Sequence, residues 1–153
     1  MKFPKILGAS FGTAAGCWLI AEHYMEMSQP AITALAGYVG YFVFFTALFL
    51  GIWLSREKEL GGLINFKTAM RAGVLTAVYY SIVLGLFTFI NYTYINTDYL
   101  IAQKPDAGLE EIAASKSIFR IAQGVIIMIP FSILFGTAVS AVFSLLLVRN
   151  PRE

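Results

Sequence analysis

The chain has 153 residues, of which 58% are hydrophobic and only 13% are charged. Soluble domains carry about 25% charged residues and about 45–50% apolar ones, so this composition excludes a water-soluble globular protein and predicts lipid around much of the surface. The formal net charge of +2 argues against a nucleic-acid partner, and the single cysteine, Cys17, excludes an internal disulfide framework.

Four stretches without charged residues predict four membrane-spanning helices, in a single membrane domain that covers residues 1–153. A helix needs about 20 apolar residues to cross a hydrocarbon core about 30 Å thick. The uncharged part of the first span, Ile6–Ala21, is the shortest, and it crosses only if Lys5 and Glu22 extend toward the lipid headgroups. We place the spans at about 5–25, 30–55, 66–95 and 118–148.

Turn and capping residues separate these spans. Ser28 followed by Pro30 is typical of the cap and first turn of a helix. Gly61-Gly62 predicts a break in the chain between the second and third spans, and Asn65 is a suitable cap for the third.

The long loop before the last span carries a helical pattern of its own. After Pro105-Asp106, the apolar residues Leu109, Ile112 and Ala113 share one helix face. We therefore predict a short interfacial helix at about 105–116 that lies on the outer leaflet. A polar loop with one helical turn is the alternative. The predicted fold is an all-α integral membrane four-helix bundle with this interfacial helix before the last span.

The basic residues predict that both termini lie in the cytoplasm, since lysine and arginine are retained on that side of a membrane. The three cytoplasmic segments of this orientation hold eight of them: Lys2, Lys5, Arg56, Lys58, Lys67, Arg71, Arg149 and Arg152. The opposite side holds only three: Lys104, Lys116 and Arg120.

Small residues recur every fourth position on three of the spans, which gives each helix a flat strip where another backbone can approach closely. The predicted helix-packing residues are Gly8, Gly12, Gly16, Gly73, Ala77, Ser81, Gly85, Gly136 and Ser140. Such strips serve either dimerisation or packing within one bundle, and we favour packing within the bundle. The second span has only isolated pairs of small residues, so we expect it to be more peripheral.

The residues that could carry chemistry are few. No ionisable residue lies near the middle of a span, which argues against a buried carboxylate of an ion-coupled pump. At the outer end of the first span, Glu22, His23 and Glu26 could hold a cation, but His23 points about 100° away from Glu22 on a helix. Arg120 with Gln123 could contact an anionic headgroup. Snorkelling and an ordinary interfacial helix end are the simpler interpretations.

Two further features leave alternatives open. Ala14-Ala15-Gly16-Cys17 after a basic start could be a lipoprotein signal, but the glycine strip gives these residues a packing purpose. Pro130 should kink the last span. A kink can serve a gate, although most kinks only fit packing.

The middle of the chain resembles a known family. Two segments are similar to segments of domain-of-unknown-function family 4199. The first is Arg56-Glu57-Lys58 followed by Gly61-Gly62, Ile64, Phe66, Ala69 and Gly73, and the second is Tyr94–Tyr99. The resemblance implies a small four-span bacterial membrane protein. It implies no activity. We predict that the protein lies in the bacterial cytoplasmic (inner) membrane.

The leading functional hypothesis is a non-enzymatic multi-pass membrane protein that is an accessory or structural subunit or a homo-oligomer. Its expected partners are the lipid bilayer and either another membrane protein or a second copy of itself. We predict no catalytic residue, metal site or cofactor. The alternative is a small transporter or channel, suggested by Tyr79, Tyr80, Asn91 and Pro130. An enzyme acting on lipid, with Glu22, His23 and Arg120, is a third hypothesis.

Overall fold

The computed structural model describes residues 1–26, 30–96 and 118–148. These residues form four α-helices and, within the described ranges, no strand: α1 Phe3–Glu26, α2 Pro30–Leu54, α3 Phe66–Ile90 and α4 Ile118–Leu147. A π-helical turn, Ser55–Glu59, follows α2, and a second one, Asn91–Ile95, follows α3. The predicted all-α four-helix bundle is therefore confirmed. The predicted interfacial helix at 105–116 and the Ser28 cap lie outside the described residues.

Three helical segments of the described chain are long and apolar enough to cross a membrane: Tyr38–Glu59, Phe66–Ile95 and Arg120–Leu147. They indicate a membrane protein, because a bilayer offers no water to satisfy backbone polar groups and a helix satisfies its own. Helix α1 has 24 residues but is not among these segments, since its small and weakly polar side chains make it the least hydrophobic of the four.

Helix α3 lies at the centre of the bundle, in contact with all three other helices. Helix α1 runs parallel to it, since an added Cβ at Gly8 lies next to Thr76 and one at Gly16 lies next to Phe87. Helices α2 and α4 run antiparallel to α3. Both α1 and α4 contact α2 and α3, so α1 and α4 flank the central α2–α3 pair on opposite sides.

The glycine strip of α1 faces α3, and the two backbones are close. A Cβ built on Gly8 would lie 2.5 Å from the carbonyl oxygen of Thr76, and one on Gly12 would lie 2.8 Å from that of Tyr80. A Cβ on Gly16 would overlap the Phe87 ring. Only residues without a side chain allow this approach, and the approach increases the dispersion attraction between the helices.

The small-residue strip of α3 faces α4. A Cβ on Gly73 would overlap Ser140, and a Cβ on Gly136 would lie 2.7 Å from the Cβ of Ala77. Ser81 lies on the same face of α3 and is fully buried, as is Ser140, whose hydroxyl donates to the Gly136 carbonyl at 2.6 Å. Gly85 contacts Ile129, with 2.9 Å from its added Cβ to the Ile129 Cδ1. The predicted packing residues on α1, α3 and α4 therefore all lie at contacts within one bundle.

The expectation that the second span is peripheral is wrong. Leu48 and Ile52 of α2 are fully buried, and Ile52 reaches the space left by Gly73, with 3.2 Å from its Cδ1 to an added Cβ. In the most apolar 18 residues of the segment Tyr38–Glu59, 33% are buried, against 11% in those of Arg120–Leu147. The isolated small pair of α2, Ala47 and Gly51, is also buried, and a Cβ on Gly51 would overlap the Thr76 side chain of α3. Helix α4 is the peripheral one.

The π-helical turn Ser55–Glu59 makes hydrogen bonds to the ends of two helices. The carboxylate of Glu59 accepts hydrogen bonds from the backbone N–H groups of Lys2 and Phe3, the latter at 3.3 Å, at the start of α1. The Arg56 guanidinium donates to the carbonyl of Leu147, the last residue of α4, at 3.3 Å. A negative group at a helix N-terminus and a positive group at a C-terminus are both stabilising, because they complement the helix dipole.

The connection from this turn to α3 is as the sequence predicted. Gly61 and Gly62 have φ of 63° and 90°, which are left-handed values that favour glycine. The Asn65 side chain accepts from the Thr68 backbone N–H at 2.9 Å and so caps α3.

Candidate functional site

A cleft of about 470 Å³ lies within the bundle and is lined by residues of all four helices. Small-molecule sites usually enclose about 300–1,000 Å³, so its size fits a ligand. Most of its lining is apolar, with the side chains of Trp18, Leu19, Leu84 and Met128 among its walls. Along α1 the lining runs from Ala15 to Glu22.

Aromatic residues close one end of the cleft. Phe44 is buried and its ring centroid lies 4.8 Å from that of Tyr80 and 6.2 Å from that of Phe135, the latter pair stacked. The Tyr80 hydroxyl donates a long hydrogen bond, 3.4 Å, to the carbonyl of Gly40. These contacts join α2, α3 and α4, so they form a packed aromatic floor.

Two of the residues that line the cleft are exposed on the surface of α2 and α4. Tyr41 on α2 and Phe131 on α4 are its most exposed lining residues, at 60% and 72%. Gly40, one position before Tyr41, also lines the cleft, and a Cβ built on it meets no heavy atom within 4 Å. The absence of a side chain at Gly40 therefore leaves part of this space open.

Two polar side chains line the cleft besides the tyrosines: Glu22 of α1 and Ser132 of α4. Glu22 lies about one turn before the end of α1 at Glu26, about 6 Å along the helix axis. The C-terminal end of a helix dipole is negative. The cleft therefore combines a mostly apolar lining with polar groups near the C-terminal end of α1.

The other residues suggested by the sequence lie elsewhere. His23 packs against the ring of Tyr24, with 5.4 Å between the centroids, and does not line the cleft. Arg120 and Gln123 are exposed on the first turns of α4. Among the described residues, no three His, Cys, Asp or Glu side chains come together as a metal site would require. The Glu26 side chain lies outside the described part of the chain.

The cleft was not foreseen from the sequence. In the sequence, Tyr80 suggested only the transporter or channel alternative, and no residue of the second span was predicted to line a site. Trp18 and Phe44 resemble any other aromatic residue in an apolar helix. The one available signal was Glu22, because a carboxylate at the end of a short span needs a polar or charged neighbour.

Comparisons with known proteins place the chain in a family. No curated protein and no solved structure matches it. The first of the two segments that carry the resemblance seen in the sequence, Arg56 to Gly73, forms the π-helical turn, the glycine break and the first turns of α3. The family model described as "Protein of unknown function (DUF4199)" matches residues 7–149, nearly the whole chain, so the predicted resemblance is confirmed and the protein belongs to this family.

Proposed function

We propose that this chain is a non-enzymatic multi-pass protein of the bacterial cytoplasmic membrane, and that it is an accessory or structural subunit of a larger assembly or a homo-oligomer. Four spans and cytoplasmic termini are part of this proposal. The observation that carries the functional part is a face of α1 that the bundle leaves exposed and that consists of small residues between the exposed Ile6 and Tyr24.

The packing of α1 supports a fourth span. Helix α1 lies along α3 from Gly8, next to Thr76, to Gly16, next to Phe87. It is therefore level with the middle of α3, which is one of the three apolar segments. Because α1 and α3 run parallel and α2 and α4 run the other way, α1 starts where α4 ends. The residues rich in lysine and arginine gather at that end, which is the cytoplasmic side by the positive-inside rule.

Cysteine labelling tests this topology. In a Cys17→Ser background, we expect Lys58→Cys, in the π-helical turn after α2, to react with a membrane-impermeant maleimide only after the cells are permeabilised. Tyr94→Cys, at an exposed position after α3, should react in intact spheroplasts. Labelling of Lys58→Cys in intact spheroplasts would show that the orientation is reversed.

The exposed face of α1 is unlike a lipid-facing surface. Ser10, Ala14, Cys17 and Ala21 are exposed and lie on one side of the helix, three to four residues apart. By contrast, the exposed face of α4 presents large apolar side chains such as Leu134. In lipid, small residues allow two helices to pack closely, whereas bulky ones prevent it. The face formed by these four α1 residues therefore fits another transmembrane helix, and the face of α4 fits lipid.

The native Cys17 provides a direct test. With copper phenanthroline in native membranes, a homo-oligomer packed through this face should form a disulfide-linked species of twice the chain mass, removed by reductant. For association with a different protein, a benzophenone maleimide attached to Cys17 should give one discrete larger adduct instead. Ala14→Leu should lower either yield at least several-fold, since it separates the helices.

The matched control is Leu134→Cys in a Cys17→Ser background, which puts the thiol on the α4 face. Cross-linking from that position should stay at the background of random collisions. If Cys17 gives no more product than this control, the α1 face contacts lipid and the proposed subunit role is wrong.

The cleft gives the transporter or channel hypothesis one specific observation in its favour, namely space between the spans. The lining on α1 covers only Ala15 to Glu22, about 10 Å along the helix axis. A path across the bilayer has to extend through a hydrocarbon core about 30 Å thick. The cleft is therefore too short to be such a path, and the subunit role is the better supported of the two.

A further inference from the structure

One face of α3 is left uncovered by the other helices, and it begins with two basic residues. The Tyr80 hydroxyl of α3 donates to the Gly40 carbonyl of α2, so Tyr80 marks the side of α3 that faces α2. Arg71 and Lys67 precede Tyr80 by nine and thirteen residues, which places them about 180° and about 140° around the helix from it. Both are exposed, and they lie one turn apart on the side of α3 away from α2.

The same face continues as apolar surface. Leu75, Ile82 and Leu86 follow Arg71 by four, eleven and fifteen residues, spacings that keep side chains on one face of a helix. Leu75 is half-buried, whereas Ile82 and Leu86 are 46% and 60% exposed. These three residues, with Lys67 and Arg71, form what we call the uncovered face of α3.

A third basic residue, Lys5 of α1, reaches the same end of this face. Gly8 lies beside Thr76, and the parallel register of α1 and α3 therefore puts Lys5 level with Gly73, about 3 Å along the axis from Arg71. The Lys5 ammonium lies over the ring of Tyr79, 5.9 Å from its centroid. Tyr79 is one turn after Leu75, at the edge of the uncovered face, so Lys5 borders this face from the α1 side.

The three positive charges are not balanced by the protein. Within the described residues, none of Lys5, Lys67 and Arg71 forms an ion pair. The two acidic residues at this end have other partners: Glu57 pairs with Arg56 at 2.6 Å, and Glu59 accepts from backbone N–H groups at the start of α1. The basic end of the uncovered face therefore attracts an anion.

The depth of Arg71 indicates what kind of anion this is. The middle of the apolar segment Phe66–Ile95 is about 14 Å along the axis from Arg71, and half of a hydrocarbon core is about 15 Å. Arg71 therefore lies where the hydrocarbon meets the headgroups, and phospholipid phosphates lie at this boundary. A planar guanidinium binds two phosphate oxygens at once.

We propose that the uncovered face of α3 binds one anionic phospholipid. Its phosphate lies among Lys5, Lys67 and Arg71, and one acyl chain lies along Leu75 and Ile82. A free phosphate ion would leave the apolar part of the face unused, and a zwitterionic headgroup brings a positive charge of its own to a site that already holds three. The face is separate from the α1 face proposed for helix association, so the two proposals can fail separately.

A single tryptophan on this face gives a direct readout. Trp18→Phe and Trp53→Phe remove the two native tryptophans, and Leu75→Trp adds one about 6 Å along the axis from Arg71, on the acyl-chain side. The full chain is reconstituted in phosphatidylcholine vesicles that contain increasing amounts of dibrominated phosphatidylglycerol or dibrominated phosphatidylcholine, because bromine quenches tryptophan on contact. One basic residue near an anionic lipid contributes about fivefold to binding. We therefore expect half-maximal quenching at a mole fraction at least about fivefold lower for phosphatidylglycerol.

Two variants of equal net charge separate a site from general attraction to a basic surface. Arg71→Gln should reduce the preference for phosphatidylglycerol about fivefold. Lys58→Gln is the matched control, since Lys58 is also exposed at this end of the bundle but lies on the turn after α2, away from the uncovered face. It should keep the parent preference. Circular dichroism of each variant confirms that the same folded species is compared.

Each result has one meaning. A preference for phosphatidylglycerol that Arg71→Gln lowers and Lys58→Gln retains supports the lipid site. Equal quenching by the two lipids, or an equal loss in the two variants, overturns it, since the charges then act only as a diffuse basic surface. Inorganic phosphate, compared with chloride at equal ionic strength, should leave the preference unchanged. If phosphate removes it, the basic residues bind a free anion and the assignment to a lipid is wrong.

Discussion

Replacing Gly12 with leucine is expected to destabilise the bundle by at least about 3 kcal/mol, the upper part of the range for overpacked cores. A Cβ at this position would lie 2.8 Å from the Tyr80 carbonyl oxygen and 3.1 Å from the Cβ of Val83. Backbone atoms and a Cβ cannot rotate away, so α1 and α3 must separate along their whole contact. The midpoint of unfolding by sodium dodecyl sulfate, followed by circular dichroism in mixed micelles, measures the loss.

The matched control for Gly12→Leu is Gly124→Leu. Gly124 is also within a helix, but an added Cβ there meets no heavy atom within 4 Å. Leucine has a higher helix propensity than glycine by up to about 1 kcal/mol, so this variant should be neutral or slightly more stable. Equal midpoints for Gly12→Leu and the parent monomer would mean that the α1 strip contacts a second protein and not α3.

Truncating Phe44 to alanine is expected to destabilise the bundle by about 3–5 kcal/mol, the second large effect. Phe44 is 6% exposed, and its ring contacts the rings of Tyr80 and Phe135. The missing ring leaves a cavity between three helices, and the aromatic contacts between rings are lost with it. The same sodium dodecyl sulfate titration measures the change in the free energy of unfolding.

Phe42→Ala makes the identical chemical change two residues earlier on α2. Phe42 is 73% exposed, so its side chain contacts lipid both in the folded bundle and after the helices separate. Its expected effect is within about 0.5 kcal/mol, as for other surface substitutions. If the two variants lose the same stability, the aromatic residues act through helix α2 itself, and the packed floor of the cleft has no role in stability.

Much of the fold could be predicted from the sequence because the lipid solvent restricts the choice. Backbone groups in a bilayer have to be satisfied within the segment, so long uncharged stretches become helices whatever surrounds them. The break at Gly61-Gly62 and the cap at Asn65 are equally local: each depends on the conformation or hydrogen bonds of a few neighbouring residues. Most of the residues that carry the family resemblance lie in the same segment, Arg56 to Gly73.

The assignment of partners to faces needed the tertiary structure. A small-residue strip is the same sequence feature whether it meets a helix of its own bundle or a second protein. Helix α3 lies at the centre, α1 runs parallel to it and α4 is peripheral. These positions depend on which helix faces fit together and on how deep in the bilayer their contacts lie. The burial of α2 was missed because its large side chains, Leu48 and Ile52, occupy space that small residues on other helices provide.

By itself, the sequence determined the membrane environment, the four helices, the turn before α3 and the family, since each depends on composition or on residues that are neighbours in the chain. Only the tertiary structure decided the contacts made by Glu59 and Arg56 with the ends of α1 and α4, and the cleft beside Gly40 and Glu22. Those features join residues that are far apart in the chain, and no local pattern encodes the distance between them.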